Sequence, residues 1–306
     1  MTEIVLDCDP GHDDAIALLL AGAAPELDVA AVTTVAGNQT LEKTTDNARR
    51  MLTVMDRPDI PVAAGMGEPL ARELTTAAHV HGESGLDGPD LPAARVDLDD
   101  RHGVDLLIDT VRASDGITLV PVGPLTNIAM ALKKAPDIRD GIEEIVVMGG
   151  AIRKANITPA AEFNIYVDPE AARYVFESGL DVTMVGLDVT FASQVRPAEV
   201  ETIRGLGEVG SMVAAFLDFA AEYYTSTHGL EGYPIHDAVA VAHVLDDVVE
   251  TERMRVDVET DSEFCDGRTV CDVDDRTDRS PNVDVGVDLD REAFLDRLLD
   301  SLEAYE

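Results

Sequence analysis

Over its first 190 residues the chain repeats one pattern: a short apolar run of strand length, then an Ala- and Leu-rich stretch of helical period. Residues 3–8 (EIVLDC) read as a strand before a helix at 12–23. Residues 28–35 (DVAAVTTV) read as a strand before a helix at 39–55, and 61–64 as a short strand. A helix at 104–113 leads to a strand at 117–121, and a helix at 125–135 to a strand at 143–148. A helix at 168–178 opens on Asp168-Pro169, a favoured start, and a strand at 182–187 follows. Strands that alternate with helices return parallel to one another, with the helices packed on the sheet. The expected fold is α/β: a single-domain, mostly parallel central sheet with a Rossmann-like core and helices on both faces. No linker or repeat is visible, so one domain is expected over 1–306.

Two segments break the alternation. Residues 65–102 hold many Gly, Pro and His with little periodicity. A loop this long is usually functional or disordered. Residues 192–245 read as largely helical and contain Tyr223, Tyr224, His228 and His236. After 253 come strands with a turn at Asp266-Gly267, then a terminal helix at 290–304.

The first strand ends in DCDPGHDD, which puts Asp7, Asp9, Asp13 and Asp14 within one short stretch. Asp7 and Asp9 are two apart, so on a strand they share a face. Pro10-Gly11 turns the chain, and Asp13 and Asp14 begin the helix. Open α/β sheets bind ligands at this edge, the carboxyl ends of the strands. Carboxylates at an apolar strand end need partners, and all-oxygen donors select a hard cation, Ca²⁺ or Mg²⁺. The site is not an EF-hand: counted from Asp7, the loop positions that need Gly and Glu hold His12 and Leu18. An Mg²⁺-dependent phosphohydrolase also opens with Asp-x-Asp, but it needs a downstream Lys to hold the phosphoryl group. Of Lys43, Lys133, Lys134 and Lys154, none stands at a convincing strand end.

Other polar residues follow other strands. Asn38 comes after the second, and Val122, within PVGP, could lend a backbone carbonyl after the strand at 117–121. Asn156, Glu162 and Asn164 follow the strand at 143–148, and His236-Asp237 opens a late helix. Each has a structural reading: Asn38 as a helix cap, Asn164 as a turn brace, Asp237 as a cap. Their shared edge favours one common site. Neither a GxxxxGK phosphate loop nor a GxSxG elbow is present. The donor set suits a polyhydroxylated, unphosphorylated ligand such as a sugar ring.

Charge narrows the partners. Sixty Asp and Glu against 23 Lys and Arg give a formal net charge of -37. Such a field repels nucleic acid and anionic membrane surfaces. The acid-rich, Lys-poor composition resembles proteins of salt-saturated cytoplasm, where a Debye length of ~3 Å at molar salt screens the repulsion. A halophilic protein is expected. The start shows no basic stretch followed by an apolar run, so no secretory leader is expected. Three cysteines without CxxC spacing fit a reduced cytoplasmic setting.

The segments DCDPGHDDAIALLLA, TTVAGNQT, HVHGESGLDG, LVPVGPLTNIAMAL, VVMGG, AEFNIYVDPEAA, VTMVGLDVT and PIHDAVAVA resemble the nucleoside hydrolases, the inosine–uridine-preferring group in particular. The likeness runs in order along nearly the whole chain and is weaker at 192–230 and 260–282. It implies Ca²⁺-dependent hydrolysis of the N-glycosidic bond of ribonucleosides, giving free base and ribose. It implies Asp9, Asp14, Asp237 and the main-chain oxygen of Val122 as metal ligands, with Asp9 also the general base. Asp13, Asn156, Glu162 and Asn164 resemble the ribose binders. Asn38 lies beside the attacking water, and His236 resembles the residue that assists departure of the base. His81 is similar to a residue near the base pocket, and Asp7 resembles a support behind the ligands. The partner implied is a small ribonucleoside, and the resemblance implies a homo-oligomer, dimer or tetramer. A non-catalytic nucleoside- or sugar-binding protein on the same fold is the remaining alternative. Base preference stays open, as does whether residues 75–90 close over the ligand. On their helix, Tyr223 and Tyr224 read as core residues before base-stacking ones.

Overall fold

The structure is a computed structural model that describes residues 1–306, apart from the side chains of Glu222 and His228. His228, named above, is thus outside the described side chains. The first strand, β1 (Thr2–Cys8), shows why the sheet is covered on both sides. Ile4, Leu6 and Cys8 enter one core and Val5 enters the other, as period two requires. Helix α1 (His12–Ala23) follows, then β2 (Leu27–Thr34), α2 (Leu41–Val54) and β3 (Val62–Ala64). These pair in parallel to one side of β1.

The chain then crosses to the other side. A single helical turn, α3 (Ala78–His81), sits inside the long loop, which is otherwise irregular as expected. Then come α4 (Gly103–Ala113), β4 (Ile117–Pro121), α5 (Thr126–Lys134) and β5 (Ile142–Met148). Next are α6 (Phe163–Val167), α7 (Pro169–Phe176), β6 (Val182–Val185) and α8 (Leu187–Thr190). The segment after it holds β7 (Gln194–Val195), α9 (Pro197–Arg204), α10 (Gly207–His228), β8 (Tyr233–Pro234) and α11 (His236–Asp246). The chain ends with β9 (Val249–Met254), β10 (Val256–Val258), β11 (Thr269–Cys271), β12 (Val283–Leu289) and α12 (Arg291–Glu303).

The main sheet runs β3-β2-β1-β4-β5-β6-β12-β9, parallel except for β9. The mostly parallel α/β expectation therefore holds. The strand order reverses direction between β1 and β4, so this is where a crevice opens at the carboxyl edge. The region 192–245 is largely helical as read, but β7 and β8 form a small antiparallel pair within it. The strand expected at 182–187 stops at Val185, because Gly186 turns the chain into α8. Asp266-Gly267 does form a turn, with Gly267 at φ +76° and Tyr166 packed where a Cβ would go. Among the described residues no helix is long and apolar enough to cross a membrane.

Candidate active site

Asp9 leaves the end of β1 and is fully buried. Its Oδ2 accepts the main-chain N–H of Asn38 at 2.6 Å, while its Oδ1 has no partner among the described residues. A Cβ on Gly37 or Gly123 would lie 2.2 or 2.4 Å from its oxygens, so two strand-end turns close tightly around it. Asp14 lies beside it at the start of α1. The Asp14 carboxylate accepts from Asp9 N and Gly11 N, both at 2.9 Å, and from Asn38 Nδ2 at 3.0 Å. Asn38 is thus a brace for two carboxylates, while the residue that precedes α2 is Thr40. The helix-cap reading of Asn38 fails because the loop carries two more residues than a cap there allows.

Asp13, Asp14 and Asp237, the last at the start of α11, have carboxylate oxygens within 4.8 Å of one another. All three are buried. Burial first, then repulsion from the neighbouring acids, holds Asp9 and Asp237 well above the usual carboxylate range. The same causes lift Asp13 to about 8. Burial also raises Asp14, against the donors that hold it. This trio overlaps the expected ligand set at Asp14 and Asp237 and brings in Asp13, expected as a ribose binder. The main-chain oxygen of Val122 accepts from Asn164 Nδ2 at 2.7 Å, so it points toward the same polar crevice.

Asp7 and Asp9 do not act on one surface. Asp7 faces α5 and the second strand, where its Oδ1 accepts from Thr33 Oγ1 at 2.5 Å and Asn127 Nδ2 at 2.7 Å. Burial lifts it to about 7. It is not part of the pocket wall, as its expected supporting place implies.

The opposite side is built from the segment after β5. Glu162 caps α6: its Oε1 accepts from Asn164 N at 3.0 Å, its Oε2 from Ile165 N at 3.1 Å and Gly150 N at 3.0 Å. Asn156 Oδ1 accepts from Phe163 N at 2.9 Å, which fixes the loop before that helix. His236 begins α11, and its ring nitrogens meet Thr190 Oγ1 at 2.7 Å and Tyr224 Oη at 3.3 Å. His81 Nδ1 accepts the main-chain N–H of His12 at 3.2 Å. Burial holds His81 well below the ordinary imidazole range, so it is neutral with its proton on Nε2.

These residues surround one common cavity. Asp13, Asn38, His81, Val122, Asn156, Glu162, Asn164, His236 and Asp237 line it. Asp9 and Asp14 lie beneath that lining. Among the described residues no Lys or Arg lines it, so no ammonium or guanidinium group is there to hold a phosphoryl group.

The sequence pattern of the inosine-uridine preferring nucleoside hydrolases matches residues 4–296. The chain belongs to that family. This nucleoside hydrolase is 49% identical to the pyrimidine-specific ribonucleoside hydrolase RihA of Salmonella agona (strain SL483) over 306 residues, 99% of this chain and 98% of that one. It is 50% identical to the protein of the same name from Shigella boydii serotype 4 (strain Sb227), with the same coverage. Among solved structures it resembles a purine-preferring ribonucleoside hydrolase from Gardnerella vaginalis, with TM-score 0.92, 33% identity and 99% of each chain covered. The enzyme is thus a ribonucleoside hydrolase, of the class that cleaves N-glycosidic bonds.

Several residues around the nucleoside hydrolase pocket were not expected from the sequence. Thr190 holds His236 beside the already considered Tyr224, and Met148, Ile157 and Phe163 are further residues of the lining. Tyr223 and Tyr224 both line the pocket; Tyr224 is buried as a core residue, and Tyr223 only half so. His12, the first residue of α1, is a further one. It is fully buried against Phe216 and His81, and burial lowers it to about 4. The signal for Tyr224 was available only as a tyrosine four residues from Ala220 on the buried face of α10.

Proposed function

We propose that the enzyme prefers pyrimidine ribonucleosides and works with Ca²⁺ at the acidic floor. The observation that carries the reading is the buried group of Asp9, Asp13, Asp14 and Asp237 at a pocket that His236 also lines. The floor fits a hard cation: its donors are oxygens only, its carboxylates are crowded and buried, and Asp9 Oδ1 is left without a partner. Asp9, Asp14, Asp237 and the carbonyl of Val122 would hold the ion. Bound there, Ca²⁺ would anchor the attacking water and the ribose 2′ and 3′ hydroxyls.

The chain's own groups then divide the work. Asp9 takes a proton from the water. Asn38, bonded to both Asp9 and Asp14, keeps that geometry fixed. Asp13, Asn156, Glu162 and Asn164 bind the ribose hydroxyls, and the surrounding carboxylates stabilise positive charge on the oxocarbenium-like ring. His236 gives a proton to the departing nitrogen. His81 stands at the base end of the pocket. Pyrimidine preference is supported by the identity to the RihA proteins, higher than the 27% to an inosine-guanosine nucleoside hydrolase.

The test is ribose release from uridine, cytidine, inosine and guanosine, with and without EDTA, then with Ca²⁺ restored. The expected result is kcat/KM at least ~10-fold higher for uridine or cytidine than for inosine, and activity that EDTA abolishes and Ca²⁺ restores. Equal or better turnover of inosine overturns the base preference. Full activity in EDTA overturns the metal.

A further inference from the structure

A single turn of helix outside the pocket is tied to two separate parts of it. Helix α8 (Leu187–Thr190) follows β6 at Gly186, where a Cβ would lie 2.8 Å from Gly150 O, so the turns after β5 and β6 close tightly on each other. At its start, Leu187 N donates to Gly150 O at 2.9 Å. Next along it, the Asp188 carboxylate accepts from Ile152 N at 2.6 Å and from Arg153 N at 3.1 and 3.2 Å. At its end, Thr190 Oγ1 meets His236 Nδ1 at 2.7 Å. Just beyond, Ser193 Oγ donates to Thr190 O at 2.7 Å and to Ile235 O at 3.2 Å, which fastens the start of α11 to the same turn.

Residues 150–153 begin the loop that carries Asn156 and returns to Glu162. Gly150 stands between α8 and Glu162: its O accepts from Leu187 N, while its N donates to Glu162 Oε2 at 3.0 Å. Ala151 is clasped by Thr269 of β11, whose Oγ1 accepts from Ala151 N at 2.9 Å and donates to Ala151 O at 2.6 Å. Asn156 N donates to Ala161 O at 3.2 Å, which closes the far part of the loop on itself. Between these points, over 152–155, the main-chain hydrogen bonds found among the described residues all go to Asp188. Bonds from N–H groups to a carboxylate are charge-assisted and stronger than neutral ones. Asp188 is half-buried, and it is not part of the pocket lining.

We propose that Asp188 is a positioning residue for the sugar end of the substrate: it holds residues 152–153 so that Asn156 and Glu162 keep their places relative to His236, which the same turn of helix holds through Thr190. The inference rests on the ribose-binding roles proposed for Asn156 and Glu162. Asp188 acts through the main chain of the loop and touches no reacting atom.

Asp188→Ala in the full chain tests this. Without metal or substrate, the amides of Ile152 and Arg153 should exchange ~10-fold or more faster, with β5 and β6 unchanged. With Ca²⁺ present, KM for whichever nucleoside is cleaved fastest and the inhibition constant of ribose should both rise ~10-fold, with kcat within ~3-fold. Asp188→Asn keeps an oxygen that can accept from both amides, and it should stay within ~3-fold of the parent enzyme in every readout. Asp188→Ser, shorter by one atom, carries the test if Asp188→Ala does not fold. Unchanged exchange at 152–153 would overturn the proposal. So would faster exchange with KM and ribose inhibition unchanged, or a fall in kcat alone. Glu162→Ala in the same assays keeps the two readings apart. If it weakens ribose inhibition and Asp188→Ala does not, the role of Asp188 falls and the ribose role of Glu162 stands. If only Asp188→Ala weakens it, Asp188 stands, acting through Asn156, and the role of Glu162 falls.

Discussion

The floor of the pocket and its far wall are made in different ways. The floor comes from the ends of β1, β2 and β4 and the starts of α1 and α11. Its carboxylates and carbonyl are held by main-chain or amide donors at 2.6–3.0 Å. The far wall comes from α3 and the C-terminal part of α10, and it meets the ligand space with imidazole and phenol rings. Its contacts are ring against ring: His79 to Tyr223 at 5.6 Å, Tyr223 to Tyr224 at 5.4 Å, Tyr224 to His236 at 6.0 Å. On the proposed function, a floor fixed by sheet ends would hold the ribose and the charge, which every ribonucleoside shares. A wall of rings on helices would then meet the base, the part that differs between substrates. Chemistry should therefore fail when the floor is altered and selectivity should shift when the wall is altered.

The largest effect is expected at the floor. Asp9→Asn keeps the shape and removes the anion. It should lower kcat by ~10³-fold or more, equal to about 4 kcal/mol of barrier. Its Tm should hold or rise, because a buried charge has been removed. Turnover within ten-fold of the parent enzyme would end the assignment of Asp9 as base and with it the claim that the floor carries the chemistry.

His236 stands where the two regions meet, on a floor helix with its partners in Thr190 and the wall residue Tyr224. His236→Ala should lower kcat on uridine by ~10²-fold, about 2.7 kcal/mol, yet affect an activated aryl riboside by less than ~5-fold. A good leaving group needs no proton. Equal losses on both substrates would make His236 a structural residue of the wall.

How far the two regions could be read from the sequence differs for the same reason. Asp9, Asp13 and Asp14 are nearly contiguous, and their clustering at an apolar strand end has a direct physical meaning. The alternation of strands and helices likewise placed that cluster at a sheet edge. Asn38 was found, but its role was not, because the donor–acceptor pair spans 29 residues between two strands. The wall gave weaker signals. A phenol on an amphipathic helix looks the same whether it faces core or cavity, and Tyr224 does both. The antiparallel β9 and the parallel return of β12 were also unreadable, since strand direction after residue 253 depends on partners that no local pattern names.

The crowding of the floor predicts a pH dependence with a definite sign. Burial lifts Asp7 to about 7 and Asp13 to about 8 in the folded chain, against an unfolded value of ~3.9. Where a folded pKa is the higher one, the stability from that group is present below the unfolded pKa. It is lost as pH rises through the folded pKa. In EDTA the Tm should therefore fall by ~5 °C or more between pH 5 and pH 8. Ca²⁺ favours the ionised carboxylates and should reduce most of that fall, so its stabilising effect should be larger at pH 8 than at pH 5. A flat Tm profile in EDTA, measured by scanning calorimetry, would show that the floor carboxylates lack the burial penalty assigned to them.

The smallest effect is expected at Tyr223, and it bears most directly on the contrast between floor and wall. Its ring lines the pocket while remaining only half-buried, between the edges of His79 and Tyr224. Truncation therefore removes little packing, and Tyr223→Ala should cost no more than ~1 kcal/mol of stability. The buried neighbour Tyr224, 6% exposed, should cost ~3–5 kcal/mol on the same change, as large core aromatics do. In catalysis Tyr223→Ala should raise KM by ~3–10-fold with kcat within ~2-fold, since binding of the base is shared by ground and transition states. The uridine-to-inosine ratio of kcat/KM should move, because the two bases cover different areas of ring. If kcat falls while that ratio stays constant, the wall takes part in the chemical step, and the division between a catalytic floor and a selective wall does not describe this enzyme.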